Sequence, residues 1–129
     1  LLGRLSRRGG PNVRFLGSVS RETIVDHLVR ARSLILPGIE DFGITPLEAM
    51  AVGTPVVAFG EGGVLDSVAE GTTGIFFGSQ TVESLSQALA AVESRSWDRE
   101  AMRRHAAQFS KARFGQQFLE SLARIGTSR

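Results

Sequence analysis

The chain has 129 residues, of which 42% are hydrophobic and 22% charged, and these proportions are typical of one globular domain rather than a disordered chain. It has no cysteine, which excludes disulfides and thiolate metal sites and agrees with a cytoplasmic protein, and no apolar run approaches the roughly 20 residues of a membrane span. The net charge is only +2 and the arginines are scattered, without tyrosines for base stacking, so nucleic-acid binding is not expected.

The predicted elements alternate between strand and helix, after an opening segment, residues 1–10, that looks like the end of a helix stopped by two glycines. Strands are predicted at residues 13–16, 33–36, 55–59 and 74–77. Helices are predicted at residues 21–31, 44–52, 64–70 and 82–92, with Ser20 and Thr81 as caps, and again after Asp98 and from Phe114 to Ile125. This order predicts an α/β fold, a Rossmann-like parallel sheet with helices on both faces. The apolar strand at 33–36 is expected to be buried on both faces.

Parallel sheets bind ligands beyond the carboxyl ends of their strands, which directs attention to the loops at residues 17–20, 37–43 and 60–63. Glu40 lies in the second loop, and Glu48 lies about one turn inside the helix that follows. Between them, the start of the helix exposes amide groups that suit a phosphate or diphosphate. The two carboxylates fit beside such an anion if they accept hydrogen bonds from hydroxyls of the same ligand. A nucleotide sugar has that arrangement of groups.

Taken one at a time, these residues can also be explained without a role in ligand binding. A glutamate before a helix often only complements the helix dipole, and one within a helix is usually solvated. His27 is predicted to be a surface or packing residue and His105 to lie on a solvated helix face, and a metal site is not expected. For Gly62 and Gly63, a tight turn is as good an explanation as a binding loop.

A longer motif narrows these choices. It comprises Pro37, Glu40, Phe42, Gly43, Leu47, Glu48, Ala49, Met50, Ala51, Gly53, Pro55, Val56 and Val57, in that order. The motif resembles the pattern of retaining glycosyltransferases of family 4, which have the GT-B fold, and the resemblance covers roughly residues 11–92. One departure is Asp66, where the family commonly has glutamate.

The resemblance implies a role for each matching position. Glu40 is implied as the catalytic-site residue that contacts hydroxyls of the transferred sugar, and Glu48 as the acceptor of hydrogen bonds from the ribose. The amides of Ile44 and Thr45 would hold the diphosphate, and Gly43 would allow the close approach of the ligand. Phe42 belongs to the same binding segment. The base pocket would be lined by Gly17, Ser18 and Val19.

The resemblance also implies what kind of protein this is. Residues 1–129 would form a partial C-terminal nucleotide-sugar-binding domain, without the N-terminal acceptor domain and inactive alone. The donor is expected to be a nucleoside-diphosphate sugar, and the sequence of residues 37–45 favours GDP-mannose. Transfer would proceed with retention of the anomeric configuration. No cofactor or metal is expected. The acceptor would be a sugar or lipid-linked glycan, in a cytoplasmic enzyme that touches the inner membrane face.

Other functions remain open. The chain could be a nucleotide-sugar-binding module without catalysis, or part of a related epimerase. A related phosphorylase would need a lysine for pyridoxal phosphate, and Lys111 is the only lysine and lies in the wrong region.

Overall fold

A computed structural model of the protein describes residues 2–41 and 43–126, without the side chains of residues 2, 125 and 126. Along these residues lie three strands, β1 (Leu34–Leu36), β2 (Val56–Phe59) and β3 (Gly74–Phe77). The helices are α1 (Leu2–Arg8), α2 (Arg21–Arg30), α3 (Ile44–Ala51), α4 (Val64–Ser67), α5 (Val82–Ser94), α6 (Arg99–Ala107) and α7 (Lys111–Gly126).

The sheet is parallel throughout, with β2 between β1 and β3. In register, Val57 lies opposite Ile35 on one side and Ile75 on the other. All four residues of β2 are buried, as a central parallel strand covered on both faces requires.

Alternate residues of β2 point to opposite faces, and each face carries its own core. On one face, Val56 and Ala58 pack in a cluster with Met50 of α3. Helix α6 packs against α3 on this side. On the other face, Val57 and Phe59 pack with side chains of α5. The predicted α/β fold with helices on both faces is therefore confirmed.

Three of the predicted helix starts are confirmed by a side chain that accepts a hydrogen bond from the amide three residues ahead, whereas the terminal helix begins at Lys111 rather than at Phe114. Ser20 caps α2, Thr81 caps α5 and Asp98 caps α6. A cap of this kind typically stabilises a helix by about 1 kcal/mol.

Two predictions about strands are wrong. Residues 13–16 form no strand, and Val13 and Phe15 remain 48% and 42% exposed. A strand needs a hydrogen-bonded neighbour, and no described strand pairs with this segment. The strand at residues 33–36 is not buried on both faces, since Ile35 is 41% exposed on the side of the sheet where α5 packs mainly on β2 and β3.

Two further details differ from the sequence-based expectations. Helix α4 ends at Ser67 rather than at residue 70, because Val68 turns to an extended conformation and the Ala69 amide donates to the hydroxyl of Thr73. His105 is not a solvated surface residue: it is half-buried, and its Nε2 lies 2.7 Å from the carbonyl oxygen of Ser67. This contact ties α6 to the end of α4.

Helix α7 carries a row of exposed apolar side chains. Phe114 and Phe118 stack on one another, with ring centroids 6.2 Å apart, yet they remain 68% and 54% exposed. None of the described helices combines the length and the apolar character needed to cross a membrane.

The tight contact between β2 and β3 predicts a strong effect for Gly74→Ala. A Cβ at this buried position would lie 2.2 Å from the carbonyl oxygen of Val56 and 2.9 Å from Val68 Cγ1. Since backbone must move to relieve the overlap, we expect the variant to lose about 3 kcal/mol of unfolding free energy, measured by urea titration. Gly78→Ala is the control, because nothing lies within 4 Å of its added Cβ. Equal stability of the two variants would contradict this packing.

Candidate functional site

The loops that follow β1 and β2, residues 37–43 and 60–63, leave the sheet at the same edge because the strands are parallel. The structure links these two loops directly. Glu40 and Gly62 form an isolated parallel bridge, and the amide of Gly63 donates a 2.6 Å hydrogen bond to the carbonyl oxygen of Glu40. The backbone of Glu40 is therefore held from the neighbouring loop.

Gly62 permits this link for two reasons. Its φ is +80°, a left-handed conformation that glycine adopts without strain. In addition, a Cβ on Gly62 would lie 2.6 Å from the Glu40 carbonyl oxygen and 2.9 Å from Ile39 Cγ2. The glycine is thus required for the contact between the loops as well as for the turn.

Helix α3 begins at this edge, directly after Gly43. Gly43 occupies the N-cap position with φ of +73°, and it offers no side chain to satisfy the first amides of the helix. A Cβ there would meet Pro46 Cγ at 2.9 Å. The amides of Ile44 and Thr45 donate to no other residue that the structure describes, and both residues are exposed. The start of α3 is therefore an open pair of donors with a favourable dipole.

The two glutamates occupy different surroundings. Glu40 is exposed, and its carboxylate has no hydrogen bond or ion pair with another residue in the described ranges. The side chain of Glu48 is only 25% exposed, and its Oε1 lies 3.1 Å from a guanidinium nitrogen of Arg21. The two carboxylates thus flank the start of α3 in sequence. That of Glu40 is unpaired within the described residues, and that of Glu48 is paired with Arg21.

Arg21 is a residue of this region that the sequence analysis missed. It opens α2, which packs against α3, and it follows the predicted base-pocket loop by two residues. In that loop Gly17 and Ser18 are exposed, Val19 is half-buried and Gly17 has φ of +67°. The ion pair therefore connects the loop at residues 17–19 to the neighbourhood of Glu48. Sequence alone gave no signal, since the partners are 27 positions apart and on different helices.

The remaining predicted positions are placed as follows. Phe42 lies outside the described residues. Asp66 is exposed on α4, as expected of a surface residue. Among the residues that the structure describes, no group of three His, Asp or Glu side chains comes together to hold a metal ion.

Comparison with known proteins gives a consistent result. Residues 4–109 match the family model described as "Glycosyl transferases group 1". The chain is 34% identical over 110 residues to D-inositol 3-phosphate glycosyltransferase of Kribbella flavida, which covers 83% of this chain and 26% of that protein. It is 36% identical over 80 residues to glycogen synthase of Mycobacterium tuberculosis, which covers 61% of this chain and 19% of that protein. The chain thus spans about a quarter of the length of the curated relatives it matches.

Among solved structures, sucrose-phosphate synthase from Thermosynechococcus elongatus superposes with a TM-score of 0.73. The match covers 99% of this chain and 34% of that protein, at 24% sequence identity. At this identity the likeness supports the fold, and it agrees with the Rossmann-like half of a GT-B fold.

The contact between the two loops predicts that Gly62→Ala is more harmful than Gly17→Ala. Both glycines have left-handed backbone conformations, so both substitutions carry a strain of about 1 kcal/mol. Only Gly62 also places its Cβ against the Glu40 carbonyl, while nothing lies within 4 Å of a Cβ at Gly17. We expect Gly62→Ala to cost about 2 kcal/mol more in unfolding free energy, measured by urea titration. Equal losses in the two variants would show that the loops are not in contact.

Proposed function

Since this chain belongs to the group 1 glycosyltransferase family, we propose that it forms the donor-binding part of an enzyme that transfers a sugar from a nucleoside diphosphate to an acceptor. The observation that carries the proposal is the open start of α3, which lies between Glu40 and Glu48 at the carboxyl edge of the sheet. The acceptor site is proposed to lie outside residues 1–129, which would make the chain inactive alone.

The diphosphate is proposed to sit at the start of α3. The free amides of Ile44 and Thr45 would donate hydrogen bonds to the diphosphate, and the helix dipole adds a partial positive charge. During transfer, negative charge grows on the departing diphosphate. Fixed donors stabilise that charge without having to reorganise, which is how such groups lower a reaction barrier.

Glu48 is proposed to accept hydrogen bonds from the ribose. One of its oxygens is occupied by Arg21, and the other is available to a hydroxyl group. Because the Arg21 side chain is 78% exposed, the pair adds little to folding stability. Its contribution would instead be to hold the carboxylate in one orientation before the donor arrives, close to the loop at residues 17–19 that we propose lines the base pocket.

Glu40 is proposed to contact hydroxyls of the transferred sugar. Its carboxylate is exposed and unpaired within the described chain, while its backbone is fixed by the hydrogen bond from Gly63. An anchored backbone with a free carboxylate suits recognition of hydroxyl groups. Gly43 and Phe42 are proposed to belong to the same binding segment.

The finer details of the donor remain proposals. Retention of anomeric configuration rests on the resemblance of residues 37–58 to retaining enzymes. GDP-mannose is the proposed donor, although the relatives named above are an inositol 3-phosphate glycosyltransferase, a glycogen synthase and a sucrose-phosphate synthase.

The acceptor and the location are proposals for the whole protein. They are a sugar or lipid-linked acceptor, a cytoplasmic location and contact with the inner membrane face. No cofactor and no metal are part of the proposal.

Calorimetric titration of the chain with GDP, UDP and ADP tests the proposal. We expect one diphosphate to bind more tightly than the other two, and Glu48→Ala to weaken it at least about tenfold, through loss of roughly 1.4 kcal/mol of binding free energy. Glu83→Ala is the matched control, since Glu83 is an exposed glutamate in the first turn of α5.

Binding that is indifferent to Glu48→Ala would remove the assigned role of that residue. Binding of none of the three diphosphates would contradict the donor site itself.

A further inference from the structure

We propose that the chain has a second ligand site, at the edge of the sheet opposite the donor site, which binds a small molecule carrying a phosphoryl group. The site is a pocket of about 420 Å³ lined by Arg32, Val92, Glu93, Arg95, Trp97 and Arg99. This volume lies within the usual range for small-molecule sites.

The position of the pocket separates it from the donor site. Arg32 precedes β1 by two residues, and Arg95 and Arg99 contact glycines that precede β3 and β2. The pocket therefore lies at the amino ends of the strands. Glu40 and the start of α3 lie beyond the carboxyl ends, so the two sites do not share residues.

Arg95 is held in a defined position. It donates a 3.1 Å hydrogen bond to the carbonyl oxygen of Gly71, and its guanidinium carbon lies 5.2 Å from the centroid of the Trp97 ring. Trp97 is itself fixed, because its indole N–H donates to the carbonyl oxygen of Val92 at 2.9 Å. A guanidinium held on one side by stacking keeps its other N–H donors available to a ligand.

Arg99 contributes a second guanidinium. A Cβ built on Gly53 would lie 2.9 Å from Arg99 Cβ and 3.2 Å from its Cγ, so the stem of the arginine lies directly over this glycine. Its guanidinium has no hydrogen bond or ion pair with any residue of the described ranges. Arg99 thus has a packed stem and a free cationic end.

Arg32 is the third guanidinium, and among the described residues its ion-pair partner is one that an anion can replace. It pairs with Glu93 at 3.1 Å, but the two side chains are 85% and 57% exposed. Exposed pairs of this kind are weak, so Arg32 can turn to a bound anion at little cost.

The charges of the pocket select an anion. Three arginines and one glutamate line the pocket, which gives it an excess of two positive charges. The planar guanidinium fork matches phosphate oxygens in bidentate fashion, which favours a phosphoryl group over a chloride or a single carboxylate.

The sequence provides a reporter for this site. Trp97 is the only tryptophan and the chain has no tyrosine, so fluorescence excited at the indole band reports on the pocket alone. We would titrate the chain with inorganic pyrophosphate, against sodium chloride at matched ionic strength. A saturable change in Trp97 emission is expected with pyrophosphate and not with chloride.

Two variants within the pocket and one control elsewhere locate the binding, and each exchanges one arginine for glutamine. Arg99→Gln keeps most of the stem over Gly53 and is expected to raise the midpoint of the titration at least about tenfold, whereas Arg104→Gln, with the same loss of charge elsewhere on α6, leaves it unchanged. Arg32→Gln is a second variant at an exposed position, and it is expected to raise the midpoint as well.

The absence of a saturable change, or equal midpoints in Arg99→Gln and Arg104→Gln, would overturn the proposal. Pyrophosphate bound at the start of α3 would not depend on Arg99, so the comparison of Arg99→Gln with Arg104→Gln tests this site independently of the donor site.

Discussion

The hydrogen bond from the amide of Gly63 to the carbonyl oxygen of Glu40 joins two loops that are otherwise separate in sequence. It forms because β1 and β2 run parallel in a fixed register, with Leu36 opposite Ala58, so their loops emerge side by side. The close approach of Gly62 allows no side chain at that position. Once Glu40 is held in this way, the turn at Gly43 presents the start of α3 at the same edge. The geometry of the candidate donor site therefore depends on one contact between backbones.

Packing of α3 in the core stabilises the position of this contact. Met50 and Ala49 of α3 are fully buried against β2, so the helix whose first amides are open to solvent is anchored by its middle. Helix α6 covers the other side of α3 and reaches back to α4 through His105. A substitution in this core is expected to disturb the site through α3, even though it touches no ligand. The pocket lined by Arg32, Arg95 and Arg99 is supported by the other core, since Trp97 packs with the cluster on the face of the sheet covered by α5.

Features that depend on neighbouring residues were predictable from the sequence. The caps at Ser20 and Thr81, the buried strand at residues 56–59 and the helix entry at Gly43 all have local signals, namely a capping side chain, an apolar run and a glycine before a proline. Features that depend on a distant partner were not predictable. The segment at residues 13–16 looks like a strand but pairs with no described strand, and the Arg21–Glu48 ion pair joins two helices. Ile35 is exposed because α5 packs mainly on β2 and β3. The bond of His105 to Ser67 is of the same kind. The roles assigned to the site residues remain predictions.

The most direct test of the donor site follows the amide resonances of the ¹⁵N-labelled chain during addition of the nucleoside diphosphate that binds best. The free amides of Ile44 and Thr45 would gain an anionic acceptor, and Gly62 and Gly63 lie against the same loop. We therefore expect the largest chemical-shift changes at these four residues, and we expect them to saturate together. Changes confined to residues away from the carboxyl edge of the sheet, with these four amides unmoved, would contradict it.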